Sequence, residues 1–388
     1  MPQDDVPSAQ TKTDLGQRIA DVVVGTFNKL KVKSGKPIVR SNGVREWTVL
    51  AGIVAIDHET ITPISVATGV KALPERVRQY SHGLFVHDLH AEVLSLRLLN
   101  WWLLNEAINV SQDKGSDIVQ KAANGSFRFE IKPGVKFGLY VSEPPCGDAS
   151  MGYISNDAAP WSRSPCDDNR KRAGDEPDHA TKRTKLNRGR QFYGQLGVVR
   201  TKPGRNDSLI TFSKSCSDKL CLKQAIGINN CFTSKLFPKV HLEYLVLRKD
   251  KFRQLDVDRC FGRLHGHNLE VLPYESDKYD FHKPVDDGAT PSPLSLVYVV
   301  PTSTIQVLNN GVRNGSFVKN KPPKPGGESF LCNRSFAAKY QQLDAIAGTY
   351  LQFKQQNSSR QSEKHEIKTI LGNWNHSGDD DFEIGKTV

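Results

Sequence analysis

Residues 87–99 read HDLHAEVLSLRLL, which sets His90 and Glu92 two positions apart at the head of what reads as a buried helix. An imidazole can ligate a metal and a carboxylate can carry a proton, so the pair could serve hydrolytic chemistry. On a regular helix, positions i and i+2 point about 200° apart. Both therefore reach one site only if the helix begins around them, where unpaired N–H groups and the positive dipole end also lie. Two further segments bring thiols: FGLYVSEPPCGD (137–148) is a β-rich run ending in Pro-Cys, and LITFSKSCSDK (209–219) is a second ending in Ser-Cys. At a strand-to-helix junction the thiol pKa falls and a metal-binding thiolate forms, and Pro145 suits a first turn where its missing N–H is no loss. One His with two Cys leaves the fourth position of a tetrahedral zinc open for water, as catalysis needs.

The elements that must hold these residues follow from the hydropathy pattern. Leu94, Leu98, Trp101 and Trp102 fall at i, i+4, i+7 and i+8, which predicts a core-packed helix over 87–107. WTVLAGIVAI (47–56), ITPISVATG (61–69), 137–142 and 209–213 are β-rich, and 216–226 reads as another helix that follows a strand. VHLEYLVL (240–247), LSLVYVV (294–300) and STIQVLNNG (303–311) add sheet, while 334–372 is mostly helical and broken at the polar NSSRQSEK. This order predicts an α/β fold.

Composition sets the outer bounds. The chain has 388 residues, of which 37% are hydrophobic, enough to bury a core. It shows no run of about 18 apolar residues and opens on the polar MPQDDVPSAQTKTD, so neither a membrane span nor a secretory signal is expected, and the expected location is intracellular, in nucleus or cytoplasm. Seven cysteines do not make a disulfide framework, and reduced thiols are free to bind metal. With 53 Lys and Arg against 42 Asp and Glu the net charge is +11, which favours a polyanionic partner such as nucleic acid. Residues 152–190 carry dense charge of both signs and almost no aliphatic side chains, which predicts a disordered insertion. Within it, RKR (170–172) and KRTK (182–185) read either as a two-part import signal or as a solvated loop. A single domain is expected over 1–388, with its core at about 45–385 and a flexible tail at 1–14.

Zinc deaminases of nucleobases carry H-x-E followed by P-C-x-x-C. This chain keeps H-A-E and P-C, but Ala149 stands where the second Cys would be, so a third ligand must come from elsewhere. HAE (90–92), PPCGD (144–148), RTKPGR (200–205) and SCSDK (215–219), in this order, resemble the adenosine deaminases that act on RNA, whose third zinc ligand is the Cys of SCSDK. The resemblance covers about 45–385, and the wording RTKPGR, with no double-stranded-RNA-binding domain ahead of it, resembles the tRNA-specific branch. It implies a cytidine-deaminase-like mixed central sheet flanked by helices, and zinc-dependent hydrolytic deamination of adenosine to inosine immediately 3′ of the anticodon, typically in the alanine tRNA. Carried over by motif, the zinc ligands are His90, Cys146 and Cys216, and Glu92 is the proton shuttle.

The same resemblance implies a second, buried ligand, inositol hexakisphosphate, in a cavity completed by a C-terminal extension. By motif, Arg97, Lys202, Lys219, Lys339 and Trp374 are its contacts or relay groups, and Asp88 bridges lysine to the zinc side. Leu96, Leu222 and the NHSG after Trp374 depart from the basic or charged residues common there, and the alternative is that these cations face tRNA at the surface. A flipped adenine also needs basic residues around the pocket mouth to hold the backbone, for which Lys71, Arg188, Arg190 and Arg205 are candidates. Among rival ligands, Cys166 lies in the polar insertion with no strand before it, Cys221 would point into the core from a continuing helix, and Cys231, Cys260, Cys332, His82 and His87 read as packing or surface residues. An editing enzyme for other structured RNA and a catalytically silent RNA-binding relative are the competing functions; no obligate protein partner is inferred.

Overall fold

The computed structural model describes residues 9–385 apart from 124, 153–186, 190, 192–193, 203–207, 265–268, 285–287 and 373. Its centre is an eight-stranded sheet of β1 (Leu50–Asp57), β2 (Thr60–Thr68), β3 (Lys136–Val141), β4 (Tyr244–Arg248), β5 (Glu270–Tyr274), β6 (Leu294–Val299), β7 (Thr304–Asn309) and β8 (Val312–Arg313). The spatial order is β5-β4-β3-β1-β2-β6-β7-β8. Strands β3, β4 and β5 pair in parallel and the rest antiparallel, which makes the sheet mixed.

The continuous apolar run of β1 is what a strand covered on both faces requires. Ala51, Ile53 and Ala55 join the core cluster that contains helix α2 (Ala91–Ser111), and Leu50, Val54 and Ile56 join the cluster built on helix α1 (Ala9–Lys29). Between Ile53 and Val54 the register with β2 slips by one residue, a bulge that lets Ile64 and Ala67 share the α2 side while Ile61 and Val66 serve the α1 side. Helix α2 has Leu94, Leu98, Leu99, Leu103 and Leu104 fully buried, so it is an interior helix rather than a surface one.

Helix α1 corrects the expected tail at 1–14 and the expected core limit near 45. It begins at Ala9, and Ile19, Ala20, Val23 and Phe27 are fully buried against the second face of the sheet. Burial of each of Ile19, Val23 and Phe27 contributes about 1.5–3 kcal/mol. Gly52 makes the close approach of helix and sheet possible, because a Cβ there would meet Val23 Cγ1 at 2.5 Å.

Helices α3 (Cys216–Ile226) and α4 (Gln254–Phe261) follow the central strands, and α5 (Asn333–Tyr340), α6 (Tyr350–Gln355) and α7 (Ser358–Leu371) form the C-terminal part. The helical stretch breaks at the first residue of NSSRQSEK, between α6 and α7, and the rest of the segment is the start of α7, where the Asn357 side chain accepts from the Arg360 N–H at 3.2 Å. Residues 209–213 form no strand. Leu209 and Ile210 are exposed, and pairing with 200–202 is limited to bonds such as Lys202 N to Ser213 O at 2.8 Å and Ser215 N to Arg200 O at 2.8 Å. The chain end returns to the fold through Asp380, which accepts from Gly83 N at 2.8 Å, Ser81 Oγ at 3.0 Å and His87 Nε2 at 2.9 Å. Nearly all of the insertion expected at 152–190 lies outside the described residues. No described helix is long and apolar enough to cross a membrane.

Candidate active site

His90 closes the short strand Asp88–His90, which pairs antiparallel with Val70–Ala72, and it is the N-cap of α2. The helix therefore starts between His90 and Glu92, as their spacing requires, and begins four residues later than the hydropathy stripe implied because 88–90 is taken by the strand. Glu92 is 3% exposed, and its Oε2 has no hydrogen-bond partner among the described protein atoms. Burial raises its pKa from the ordinary carboxylate value.

Cys146 follows β3, and Cys216 opens α3 behind the N-cap Ser215, whose Oγ accepts from Asp218 N at 3.1 Å. The two loops are stitched together by Ser217, which donates through Oγ to Pro145 O at 2.9 Å and through its backbone N to Cys146 O at 3.0 Å. Gly147 adopts φ 108°, and a Cβ there would lie 2.1 Å from Ser215 Oγ, so only glycine permits this approach. Cys146 and Cys216 Sγ lie 3.7 and 3.5 Å from His90 Nδ1, and Cys216 N–H points at Cys146 Sγ at 3.3 Å. Tetrahedral zinc bonded at about 2.0 Å to nitrogen and 2.3 Å to sulfur would hold those donors about 3.5 Å apart. The three residues thus form a group that could hold one metal ion.

The electrostatics suit a cation. Hydrogen bonding from Cys216, with help from His90 and Lys202 against the cost of burial, holds the Cys146 thiol well below its ordinary pKa. Burial and the neighbouring Cys146 push the Cys216 thiol up, so a divalent ion is what would ionise both. Behind the site, the buried Asp88 carboxylate accepts from Lys202 Nζ at 2.7 and 2.8 Å, from Ser213 Oγ at 2.9 Å and from Lys219 Nζ. Burial alone would raise the Asp88 pKa, yet the two lysines hold it well below the usual range.

Residues 65–377 match the family model described as an adenosine-deaminase (editase) domain. The chain belongs to that family. It is 35% identical over 372 residues to a tRNA-specific adenosine deaminase 1 of Saccharomyces cerevisiae, covering 92% of this chain and 91% of that protein. A protein of the same name from Schizosaccharomyces pombe is 33% identical over 401 residues, covering 96% and 97%. A double-stranded RNA-specific editase B2 of Rattus norvegicus is 23% identical over 398 residues, 93% of this chain and 49% of that protein.

Within this editase domain the motif residues occupy distinct places. Arg97 on α2 donates to Leu331 O at 2.9 Å and to Asn333 Oδ1 at 2.9 Å, with its guanidinium over the Phe336 ring. Trp374 takes the ammonium groups of Lys214 and Lys368 over its ring at 5.9 and 5.8 Å, whereas Lys339 sits over Trp101 at 5.4 Å. Lys71 is half-buried on the strand paired with Asp88–His90. Arg188, expected at an exposed mouth, is instead 4% exposed and donates to Ser208 O, because it bridges to Thr201 in the base of the insertion. Arg190 and Arg205 lie outside the described residues. Cys221 is buried, bonded to Cys260 O at 3.5 Å and pushed up to about 11 by burial.

Motif matching missed a set of cations on α3, α6 and α7. Lys223 and Arg360 are held by backbone carbonyls, Lys223 Nζ by Asn229 O at 2.6 Å and Arg360 Nη2 by the same oxygen at 2.6 Å. Burial, with Arg360 and Lys364 beside it, lowers Lys223 well below the ordinary lysine value. Burial, with Lys354 and Lys368, brings Lys364 down to about 8. The legible signal was the spacing of Arg360, Lys364 and Lys368 at i, i+4 and i+8, one stripe of a helix. Of the three departures, Leu96 and Leu222 are buried apolar residues, and Lys223 supplies a cation beside Leu222.

Proposed function

We propose that this chain deaminates adenosine to inosine in tRNA, immediately 3′ of the anticodon, with the alanine tRNA as the expected substrate. The observation that carries the reading is the meeting of His90, Cys146 and Cys216 beside a buried carboxyl oxygen of Glu92 that has no protein partner among the described residues, in a chain that matches tRNA-specific adenosine deaminases along more than nine-tenths of its length. His90 Nδ1 and the Cys146 and Cys216 sulfurs would hold zinc, which, when bound, supplies the Lewis acidity that makes water a nucleophile near neutral pH. Glu92 Oε2 takes a proton from the water as its oxygen bonds to C6 of the adenine ring and passes it to ring N1, then carries the proton of the new hydroxyl to the amine, so that the C6–N bond breaks, ammonia leaves and C6 becomes a carbonyl. Its raised pKa suits a group that must both accept and donate a proton.

Inositol hexakisphosphate is the proposed second ligand, in a cavity that the C-terminal helices complete. Arg97, Lys219, Lys339 and Trp374 are the motif contacts, with Lys223, Lys354, Arg360, Lys364 and Lys368 added. Crowded lysines with depressed pKa values support a polyanion there, since its charge would restore the ordinary lysine values. Lys202, Asp88 and Lys219 would link that ligand to the thiolates. A single deaminase domain with an intracellular location, in nucleus or cytoplasm, completes the reading.

Incubating the zinc-loaded protein with a panel of unmodified tRNA transcripts, then reading adenosine-to-guanosine changes by sequencing, tests activity, substrate and position together. Inosine 3′ of the anticodon is the expected result. Its absence from every tRNA, or editing of a long duplex instead, overturns the reading.

A further inference from the structure

Residues 29–45, KLKVKSGKPIVRSNGVR, contain six Lys or Arg and no Asp or Glu. After α1 this segment becomes a hairpin: Val39 bridges Arg45, Arg40 N donates to Val44 O at 2.9 Å, Glu46 N donates to Ile38 O at 2.9 Å, and Gly43 turns the chain at φ 79°. Arg45–Trp47 then pairs in parallel with Ala289–Pro291, which anchors the hairpin to the fold. Arg40 neutralises Glu46 at 2.9 Å, whereas Lys31, Lys33 and Arg45 are exposed. Ile38 and Val39 project at 61% and 63% exposure beside a hollow of about 300 Å³ that also includes Trp47 and Phe281, and Lys283 lies over the Trp47 ring at 6.0 Å.

This hairpin sits close to the metal-ligand group. Val49 O accepts from Gly69 N at 3.1 Å, and Gly69 O accepts from Ala91 N at 3.0 Å, so two backbone bonds separate the strand after the hairpin from the residue next to His90. Lys71, in register with Leu89, lies between hairpin and site. Its pKa is lowered by burial and then by the nearby Arg40, with Glu46 opposing, which places the Arg40–Glu46 pair of the hairpin beside it.

We propose that the hairpin 38–46 and its basic approach at Lys31–Lys36 form a docking rim for the tRNA, taking backbone phosphates that flank the target adenosine. The inference rests on the tRNA reading above and adds the surface that would orient the substrate. A polyanion is the fitting occupant because the exposed cations outnumber the nearby acids, Glu46 being taken up by Arg40 and Asp280 lying at the hollow, so they attract phosphate over a distance of about 8–10 Å at moderate salt, and the two exposed aliphatic side chains offer a face for an unstacked base.

The test compares K33E/R45E with the charge-matched control K114E/K121E. Lys114 and Lys121 follow the far end of α2, a helix of 21 residues and so about 30 Å from the His90 end. Kd for a tRNA transcript is measured by filter binding across a salt series, and Tm is recorded for each protein. For K33E/R45E the expected result is a Kd raised about tenfold and a slope of log affinity against log salt that is shallower by roughly 1–2, while the control matches the parent protein. A parental Kd and slope in K33E/R45E, or an equal loss in both variants, overturns the rim. K33Q/R45Q, which removes charge without reversing it, should fall between, and no effect in it alongside a lowered Tm in K33E/R45E also counts against the proposal. Failure of the parent to form inosine would sink the deaminase reading while leaving these binding comparisons intact.

Discussion

Gly147 and Ser215 approach so closely that any Cβ on the glycine would overlap the serine hydroxyl at 2.1 Å. The contact sets the two cysteine loops side by side. Gly147→Ala should force them apart, since the residue must also hold φ 108°. The expected outcome is loss of bound metal and of inosine formation together, with far-ultraviolet circular dichroism unchanged, because the sheet core lies elsewhere. Retained metal in this variant would show that the loops tolerate separation.

Glu92→Gln removes the proposed proton carrier but none of the three donor atoms. Inosine formation should fall by about 10²–10⁴-fold or more, while metal analysis still returns one ion per chain. Treatment of the parent protein with a chelator should abolish activity reversibly, with recovery on adding zinc.

Asp88 serves the buried Lys202 and the half-buried Lys219 at once. Asp88→Asn leaves Lys202 and Lys219 without their shared counter-charge, and breaking a buried pair of this kind costs about 3–5 kcal/mol. Urea denaturation should show that loss. Lys202→Met combined with Asp88→Asn should recover part of it, because one uncompensated charge goes.

Polyanion binding should depend on pH in a defined direction. Lys364 of the proposed cavity and Lys214, which shares the Trp374 ring with Lys368, are held near pKa 8, below the ordinary lysine value of 10.5, by burial and neighbouring cations. An anion restores protonation, so binding takes up protons between about pH 8 and 10.5 and weakens as pH rises through that window. Thermal shifts with inositol hexakisphosphate should therefore shrink above pH 8. Constant shifts up to pH 10 would remove these lysines from the site.

Asp380 fastens the chain end to Ser81, Gly83 and His87. Burial would raise its pKa, but the hydrogen bond and charge of His87 lower it below the ordinary 3.8. A depressed carboxylate contributes stability above its unfolded value that disappears as pH falls through its folded value. Asp380→Ala should cost about 1–3 kcal/mol at pH 7, and the gap to the parent should close below about pH 4.

The sequence makes some of this molecule plain and hides the rest for physical reasons. Chemistry-bearing residues at fixed local spacing, such as HAE and SCSDK, announce themselves, and α3 runs from Cys216 to Ile226 as read. The apolar run of β1 is equally direct. Helix α1 was legible too, since Leu15, Ile19, Val23 and Phe27 recur every four residues, but its polar first turns disguised it as a tail. Arg188 misled because charge in a polar stretch reads as solvated, and only tertiary contacts bury it. The meeting of Lys223 with Arg360 spans well over a hundred residues, and no local pattern encodes such a pair.

Because Ser217 and Gly147 lock the two sulfur-bearing loops to each other, the spacing of the sulfurs is set by bonds local to the loops and not by the length of chain between them. Lengthening a tether costs only about 0.6 kcal/mol per doubling. Residues added between Gly152 and Asn187 should therefore leave His90, Cys146 and Cys216 together, whereas changes at the buried Asp148, Arg200 or Lys202 should not.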